Sequence, residues 1–477
     1  MAQEDKQERG LQYWMERAVV ESAKARNGFE KDPVHDLRVA IRRCRSVADG
    51  LRMIDPHPAW KKMRRAGKEV FSALGELRDV QVEMDWVQKL GAEGDPVRQK
   101  LMAHFRQREE ELKAAAAIVL DKFDTKQWLE WAPVLNERAE HVSAAGEVFE
   151  VIALERWIDA HRLHTIAMKN RSKQSLHAVR IGIKKFRYIV ENFLPALHDL
   201  WIKDLKDMQD VLGEIHDLDV LAETARTSRA YETPDQRTGW TKAVQEQRAK
   251  RLEKYRAKMI GRDSLWVKWR AGLPSGDDLR RSILKRFDTW ASLRDEDRQH
   301  TDRVLRLSLE LFDFLTTEQL MKAPDLDGVC QRDLLTIAVL GHEAGRLKSG
   351  KHHKAVVKVF EKLDIPPGWS ALHMQVAGLI ARYHTGAPPS EAQKSYAALR
   401  KTARDVVDQL AGIIRLADAL ERQRSGTPPD VNVARNNGMI VVTAAGFQER
   451  SKQAERIAAA RHLLESVCGM PVLVRPA

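Results

Sequence analysis

The sequence has few cysteines and no long apolar run. Cys44, Cys330 and Cys468 are scattered through 477 residues without CxxC spacing, which argues against a disulfide framework or a zinc ribbon. No segment approaches the ~18 consecutive apolar residues of a membrane span, and the first ten residues, MAQEDKQERG, lack the apolar core of a signal peptide. The sequence therefore predicts a cytoplasmic protein with no membrane partner.

Aromatic residues are also scarce, at 6% of the chain, whereas charged residues make up 31%. Lys and Arg outnumber Asp and Glu by 80 to 68, which gives a net charge of +12. The basic residues are clustered, because residues 34–68 contain ten of them against three acids and residues 169–187 contain seven and no acid. Such local basic fields favour a polyanionic partner. The length predicts two or three domains.

The stretch Val34–Arg45, VHDLRVAIRRCR, carries the clearest pattern. His35, Arg38, Arg42 and Arg45 are spaced by three, four and three residues, so at about 100° per residue they form one cationic stripe of a helix. A neighbouring apolar stripe predicts that one side of this helix is buried while the cations line a groove. The apolar stripe consists of Val34, Leu37, Ile41, Ala48 and Leu51.

The same pattern returns about 140 residues later, in LHAVRIGIKKFR. His177, Arg180, Lys184 and Arg187 occupy the positions of the first four cationic residues. An internal duplication predicts two similar helical halves about a pseudo-twofold axis, with both stripes facing one cavity.

A second match follows each copy of the motif. LGELRDVQV begins at Leu74 and LGEIHDLDV begins at Leu212, which pairs Gly75 with Gly213. The same alignment pairs Asp79 with Asp217, two acids that we expect to orient nearby arginines.

This repeated combination resembles the CHAD domain, the conserved histidine α-helical domain. The similarity covers roughly residues 8–265, with halves of about 8–150 and 151–265. CHAD domains are helical bundles that bind inorganic polyphosphate in a basic central channel, so the resemblance implies that activity.

The candidate polyphosphate-binding residues lie on the two motif helices and on the helix that follows each. A helix from Trp60 to about Leu90 places three cations on one face, and its counterpart near Trp201 places two. The alternative for any of these residues is a solvated helix face. Weaker candidates, for which rim and ordinary surface are both open, are Lys61, Lys62, Arg64, Arg171 and Lys173. The candidates are His35, Arg38, Arg42, Arg43, Arg45, Lys61, Arg65, Lys68, His177, Arg180, Lys184, Lys185, Arg187, Lys203 and Lys206.

Linear polyphosphate suits such a groove because each internal unit carries about one negative charge and presents paired oxygens to guanidinium groups. Nucleic acid is the competing polyanion. Stacking aromatics are sparse along the stripes, where only Phe186 and Tyr188 are close, and no helix-turn-helix, OB or RNA-recognition signature occurs. The sequence therefore favours polyphosphate over a nucleic-acid scaffold.

The second half of the chain predicts another helical bundle after a linker at 266–278, which includes LPSGDD. The order of histidines and acids along residues 279–430 resembles that of proteins with the HD fold. More narrowly, GHEAG, SGKHHK, ARYH and IIRLADALER are similar to the C-terminal region of exopolyphosphatase and guanosine pentaphosphate phosphatase proteins. Residues 431–477 alternate strand-like and helical patterns, which predicts a small β-α-β tail.

Four residues of this region are candidate metal ligands: His300, His342, Glu343 and Asp418. In HD phosphohydrolases an Asp follows the second His and holds a metal, whereas Glu343, one methylene longer, stands there in this chain. The alternative is a set of buried histidines and acids hydrogen-bonded to one another. No cofactor is required for the predicted binding function, and a divalent metal in this domain stays open.

The sequence thus predicts a mainly α protein with a duplicated CHAD bundle, an HD-like bundle and a small α/β tail. Its expected function is polyphosphate binding, with the HD-like domain as an accessory docking element or homodimer interface and with association to polyphosphate granules. The docking role includes a basic turn with Arg346, Lys348, Lys351 and Lys354. The alternative is an HD-type phosphohydrolase to which the CHAD part delivers polyphosphate or a phosphorylated nucleotide. We expect no phosphate hydrolysis, because no phosphate-cradling loop is present to assist an uncertain metal.

Overall fold

A computed structural model describes residues 10–143, 146–170, 172–344, 352–421 and 431–477. The contacts divide the chain between Leu279 and Arg280 into two compact units. Both are built mainly from helices, which confirms the predicted fold class. Within the described residues, no helix combines the length and the apolar character that crossing a membrane requires.

The first unit is a helical bundle whose helices begin where the sequence breaks. Pro58, Pro96, Pro195 and Pro234 each stand in the first turn of a helix, where the missing N–H costs nothing. The helices are α1 (Leu11–Ala25), α2 (Lys31–Leu51), α3 (Pro58–Leu90), α4 (Pro96–Asp121), α5 (Thr125–Glu130), α6 (Ala132–Ser143), α7 (Val148–Asn170), α8 (Lys173–Phe193), α9 (Pro195–Thr227), α10 (Pro234–Met259) and α11 (Leu265–Ala271).

The order of helix packing repeats in the two halves of this unit. Neighbours pack as α1 on α2, α2 on α3 and α3 on α4, and likewise as α7 on α8, α8 on α9 and α9 on α10. Across the repeats α2 packs on α8 and α3 on α9, as expected when a pseudo-twofold axis relates the halves. One core joins them, because Leu77 of α3 and Leu101 of α4 share a cluster with Leu218 of α9 and Trp240 of α10.

The apolar stripe of α2 is buried as predicted. Val34 is 2% exposed, and Leu37, Ile41, Ala48 and Leu51 are fully buried. Burial of this face, at about 25 cal/mol per Å² of apolar area, anchors the helix and fixes where its cationic stripe points.

The predicted linker 266–278 is helical at both ends in the structure, because residues 276–278 begin the next helix. Residues 265–271 form α11, and its Trp266 and Trp269 are buried against each other with ring centroids 5.3 Å apart. Two buried indoles make this segment part of the core of the first unit, because burying large aromatic side chains outweighs the cost of ordering a short helix.

The second unit comprises a helical bundle followed by a three-stranded sheet. Its first helix, α12 (Gly276–Ser292), begins four residues before the boundary. The other helices are α13 (Arg298–Thr317), α14 (Gln331–Gly341), α15 (His352–Phe360), α16 (Ala371–Arg382), α17 (Lys394–Ala397), α18 (Lys401–Glu421) and α19 (Lys452–Cys468). The sheet contains β1 (Val431–Asn436), β2 (Met439–Ala444) and β3 (Val472–Pro476) in the order β1-β2-β3.

The tail contains the predicted β-α-β unit, because β2 and β3 are parallel and α19 connects them. The additional strand β1 pairs antiparallel with β2 and was not predicted. Its turn carries positive φ at Asn437 (46°) and Gly438 (74°), the Asn-Gly signature of a tight hairpin. The strand is mostly exposed, so its sequence lacks the apolar alternation by which a half-buried strand is recognised.

Candidate functional site

The two cationic stripes meet where α2 packs on α8. The six stripe residues other than the histidines are half-buried, namely Arg38, Arg42, Arg45, Arg180, Lys184 and Arg187. Lys184 interacts electrostatically with arginines of both stripes. Its burial, together with the charges of Arg180 of its own repeat and of Arg42, Arg45 and Arg38 of the other, lowers its pKa to about 8. We refer to these six residues as the basic cluster.

Phe71 of α3 lies among the cations of the basic cluster. The Arg45 and Arg38 guanidinium carbons are 4.9 and 5.2 Å from the centre of its ring, and the Lys184 Nζ is 5.9 Å away. Phe71 was not among the residues predicted from the sequence. Of the two aromatics predicted near the stripes, Tyr188 has its ring centre 5.7 Å from Lys184 Nζ, whereas Phe186 is fully buried beside Trp201 and Trp269.

Several donors in this region have no hydrogen-bond partner within the described part of the chain. These buried donors without a partner are the Nε atoms of Arg45 and Arg180 and the hydroxyl of Tyr188. Burial raises the pKa of Tyr188, although the charges of Arg42 and Arg187 act to lower it. Buried donors without acceptors are costly, so an acceptor-rich anion would satisfy groups that the protein leaves open.

The repeated Leu-Gly motif places an arginine against the following helix in each repeat. Arg38 Nη1 donates a hydrogen bond of 2.6 Å to the Leu74 carbonyl, and a Cβ added at Gly75 would lie 3.3 Å from that nitrogen. In the second repeat, a Cβ at Gly213 would lie 4.0 Å from Arg180 Nε. The glycines therefore leave room for the guanidinium groups to lie close to α3 and α9.

Carboxylates gather on one side of the basic cluster, where α3 packs on α9. Asp79 acts electrostatically on Arg38, and Arg180 acts on Asp217. Burial, opposed by Arg180 and reinforced by Asp79 and Glu214, raises the pKa of Asp217 to about 6. Sequence reasoning missed the buried Glu83, whose pKa is raised to about 7 by burial and by both aspartates.

Arg43 and Arg187 share a carboxylate that bridges the repeats. Arg43 Nη2 lies 2.6 Å from Glu191 Oε1, and Arg187 Nε lies 3.5 Å from Glu191 Oε2. Gln209 of α9 also accepts a hydrogen bond of 3.1 Å from Arg187 Nη1. Arg43 is therefore neutralised by an ion pair, which makes it a tie between α2 and α8.

The remaining predicted binding residues are exposed and lie outside the half-buried cluster. Among the weaker candidates, Arg64 pairs with Asp49, Lys173 lies 3.7 Å from Asp219, Lys62 is exposed, and Arg171 is outside the described residues. The exposed residues are His35, Lys61, Arg65, Lys68, His177, Lys185, Lys203 and Lys206.

In the second unit, three of the four candidate metal ligands come together. One ligand atom from each of His300, His342 and Asp418 lies within 4.8 Å of the others, and all three residues are buried. His300 Nε2 is 3.3 Å from His342 Nε2 and 3.4 Å from Asp418 Oδ1. Glu343, the fourth, lies slightly farther away, with Oε1 3.8 Å from His342 Nε2 and 3.9 Å from His300 Nε2.

Neighbouring groups orient these histidines. His342 Nδ1 donates to the Val339 carbonyl at 2.6 Å, and His384 Nδ1 donates to the Ala381 carbonyl at 2.7 Å. This leaves the Nε2 of His342 as a lone-pair donor, and its ring centre lies 5.0 Å from that of His384. Burial lowers the pKa of His342 to about 3, so the ring is neutral.

The third histidine, His300, is held by acids. Its Nδ1 contacts the carboxylate of Glu421, which also accepts a hydrogen bond of 2.6 Å from Arg303 Nε. Glu421 was not predicted from the sequence. Burial acts to lower the pKa of His300, but hydrogen bonds with Asp418 and Glu421 outweigh it and raise the pKa to about 9.

The donor set of this candidate metal centre fits a divalent cation. Two imidazoles and a carboxylate, all buried, suit first-row metals such as Zn²⁺, Mn²⁺ or Ni²⁺, and such a cation would bind His300 Nε2 by displacing its proton. The basic turn predicted beside it does not fall within the described part of the chain. Arg346, Lys348 and Lys351 lie outside the described residues, as does the side chain of Lys354.

Comparison with known proteins identifies both regions. Residues 9–226 match the model of the CHAD domain, and residues 288–453 match that of the Ppx/GppA phosphatase, domain III, which confirms the two resemblances noted in the sequence. A crystal structure of the CHAD domain from the plant Ricinus communis is 22% identical over 55% of this chain and 88% of that chain, with a TM-score of 0.38. A search of curated proteins gave no significant match.

Proposed function

We propose that this chain, which carries a CHAD domain followed by a Ppx/GppA-type domain III, binds inorganic polyphosphate in the basic cluster of its first unit. Both matched families support a polyphosphate-related role. The observation that carries the proposal is the convergence of Arg38, Arg42 and Arg45 from one repeat on Lys184 of the other.

Physical chemistry favours an anion in this place. Half-buried like charges repel one another more strongly than exposed ones, because the surroundings screen them less. Burial lowers the pKa of Lys184 most, and repulsion by the surrounding arginines lowers it further. The buried Nε atoms of Arg45 and Arg180 lack acceptors within the described residues. A chain of phosphates would supply negative charge and acceptor oxygens to both repeats at once.

The cluster suits polyphosphate better than nucleic acid. Single-stranded nucleic acids gain affinity by stacking bases on aromatic faces. The ring of Phe71 already has three cations within 6 Å of its centre, the farthest at 5.9 Å. Tyr188 likewise lies beside Lys184. These rings hold cations and therefore offer little surface to a base.

A direct test compares the two polymers on the full chain. Long-chain polyphosphate is expected to bind at least about tenfold more tightly than duplex DNA at equal phosphate concentration, and with an affinity that falls steeply as salt rises because condensed counterions are released. Titration calorimetry at several salt concentrations measures both quantities. Equal affinity for the two polymers would remove the basis for polyphosphate and favour the nucleic-acid alternative.

A second function is supported by a different observation, the convergence of His300, His342 and Asp418. These residues, with Glu343 beside them, would hold one divalent metal ion in the second unit. Such an ion could polarise a phosphoryl oxygen or activate water, which is the chemistry of a metal-dependent phosphohydrolase.

We expect the full chain to retain about one divalent metal ion per molecule after incubation with Mn²⁺, Ni²⁺ or Zn²⁺ and removal of excess metal. His342→Ala should lower that stoichiometry to near zero, while His462→Ala, at a position whose side chain is 74% exposed, should leave it unchanged. Elemental analysis gives the stoichiometry. Wild-type protein that retains no metal after this treatment would contradict the proposed metal centre.

The same preparations separate binding from catalysis. Metal-dependent phosphate release from polyphosphate that disappears in His342→Ala would make the second unit a phosphohydrolase. Metal retention without phosphate release would argue against a phosphohydrolase and leave the metal with another role.

A further inference from the structure

Phe71 is the one uncharged side chain among those described that has cation–ring contacts with cations of both motif helices. Arg38 and Arg45 of α2 and Lys184 of α8 lie 5.2, 4.9 and 5.9 Å from the centre of its ring. We infer that Phe71 is a positioning residue that fixes the spacing of cations from the two repeats and thereby raises the affinity of the basic cluster for polyphosphate. This inference rests on the proposed function.

The residue at the equivalent position of the second repeat also contacts an arginine. The Leu-Gly motif aligns Leu74 with Leu212, so Phe71, three residues earlier, corresponds to Gln209. Gln209 accepts a hydrogen bond from Arg187, the counterpart of Arg45. Both repeats therefore use this position of the third helix to hold the last arginine of the motif, by an aromatic ring in one and by an amide in the other.

The aromatic ring differs from the amide in what it can hold. An amide oxygen directs one hydrogen bond at one donor, whereas the negative face of an aromatic ring attracts any cation placed over it. Phe71 can therefore hold Lys184 of the other repeat together with Arg38 and Arg45. This makes the first repeat the place where the two stripes are joined.

A neutral ring is also the right chemistry beside an anion-binding surface. A carboxylate at this position would pair with the same cations, as Glu191 pairs with Arg43, and would repel the phosphates. The ring attracts the cations without cancelling their charge. Cations that are already in place lose less side-chain entropy when polyphosphate binds.

The test uses three substitutions in the full chain. Phe71→Leu, which keeps an apolar side chain and removes the ring face, is expected to weaken polyphosphate binding about tenfold. Phe71→Tyr should bind within about twofold of wild type, because it restores the ring. Phe71→Gln should give an intermediate affinity, because it can hold Arg45 but not all three cations.

Salt dependence distinguishes positioning from loss of a charge. Phe71→Leu leaves the number of cations unchanged, so a plot of log K against log salt should shift in parallel with wild type. Lys184→Ala removes one cation and should make the slope shallower. Phe105→Leu, at a core position that is 2% exposed, is the control for lowered stability and should leave affinity unchanged.

The outcomes separate the two proposals. Wild-type protein that does not bind polyphosphate would overturn the proposed function itself. Wild-type binding together with unchanged affinity in Phe71→Leu would overturn only the role of Phe71, and so would a Phe71→Tyr variant that binds as weakly as Phe71→Leu.

Discussion

Replacing Arg38, Arg45 and Lys184 together by Ala is expected to weaken polyphosphate binding by about 10³-fold. These three cations surround Phe71 and come from both repeats. A charge-assisted contact contributes roughly 1.5 kcal/mol, so losing three removes about 4.5 kcal/mol, and each 1.4 kcal/mol corresponds to about tenfold in affinity. Titration of the variant with long-chain polyphosphate at low salt measures the loss.

A matched variant controls for net charge. Lys122, Lys126 and Lys254 are exposed in the same unit, and replacing all three by Ala removes the same amount of charge. Binding is expected to fall by less than about threefold, because exposed charges are screened by salt. A control variant that loses as much affinity as the cluster variant would mean that the overall field binds the polyanion.

The two repeats can also be tested separately. The double variant Arg38→Ala with Arg45→Ala and the single variant Lys184→Ala should each weaken binding, because the phosphate chain is proposed to contact both stripes. Loss confined to the first variant would show that the stripe of α8 takes no part in binding.

The second large effect concerns stability. Asp55 is fully buried between α2 and α3, and its carboxylate receives hydrogen bonds from Arg138 Nε (2.5 Å), Arg138 Nη2 (2.6 Å), Trp60 Nε1 (2.6 Å) and the His57 amide (3.0 Å). These bonds tie α6, which carries Arg138, to the beginning of α3. Asp55→Ala would leave three donor groups without their acceptor.

We expect Asp55→Ala to lower the free energy of unfolding of the first unit by about 3 kcal/mol, the lower end of the range for a broken buried ion pair, because Arg138 is 25% exposed and regains some water. Asp55→Asn keeps part of the hydrogen bonding and should cost less. Urea unfolding at neutral pH, followed by circular dichroism, measures both.

The pH dependence identifies the ionised carboxylate as the cause. Burial would raise the pKa of Asp55, but the hydrogen bonds from Arg138, Trp60 and His57 outweigh it and lower the pKa below the usual value. A pKa that is lower in the folded state stabilises the protein above the unfolded pKa of about 3.9, and this contribution is lost as the pH falls through the folded value. The difference in the free energy of unfolding between wild type and Asp55→Asn should therefore become smaller in acid. A difference that does not change with pH would mean that packing, and not the charge of Asp55, causes the loss of stability.

Much of the first unit follows from local sequence. The spacing of Val34, Leu37 and Ile41 placed one face of α2 in the core, and proline residues marked where the long helices begin. The duplicated motif predicted two similar halves, and the packing of α2 on α8 agrees with that prediction. Periodicity succeeds here because a helix repeats every 3.6 residues, so the side on which a residue lies is fixed by its neighbours in the chain.

Some local signals were present and were passed over. The hairpin that adds β1 to the sheet carries Asn437-Gly438, a pair that by itself favours a tight turn. Residues 265–271 hold Trp266 and Trp269, which are unusual in a linker, and both are buried. In each case the loop-like residues nearby outweighed a signal of one or two residues.

The sequence by itself determined which side chains share a helix face: the cationic stripes, their apolar neighbours and the order of the histidines in the second unit. Only the tertiary structure decided which faces meet. It placed Phe71 among Arg38, Arg45 and Lys184, tied Arg43 to Glu191, and brought His342 within 3.3 Å of His300 and Glu421 against the same ring. The physical reason is that periodicity fixes direction within one element, whereas contacts between residues tens to more than a hundred positions apart depend on how whole helices pack, and that is set by the sum of many weak apolar contacts.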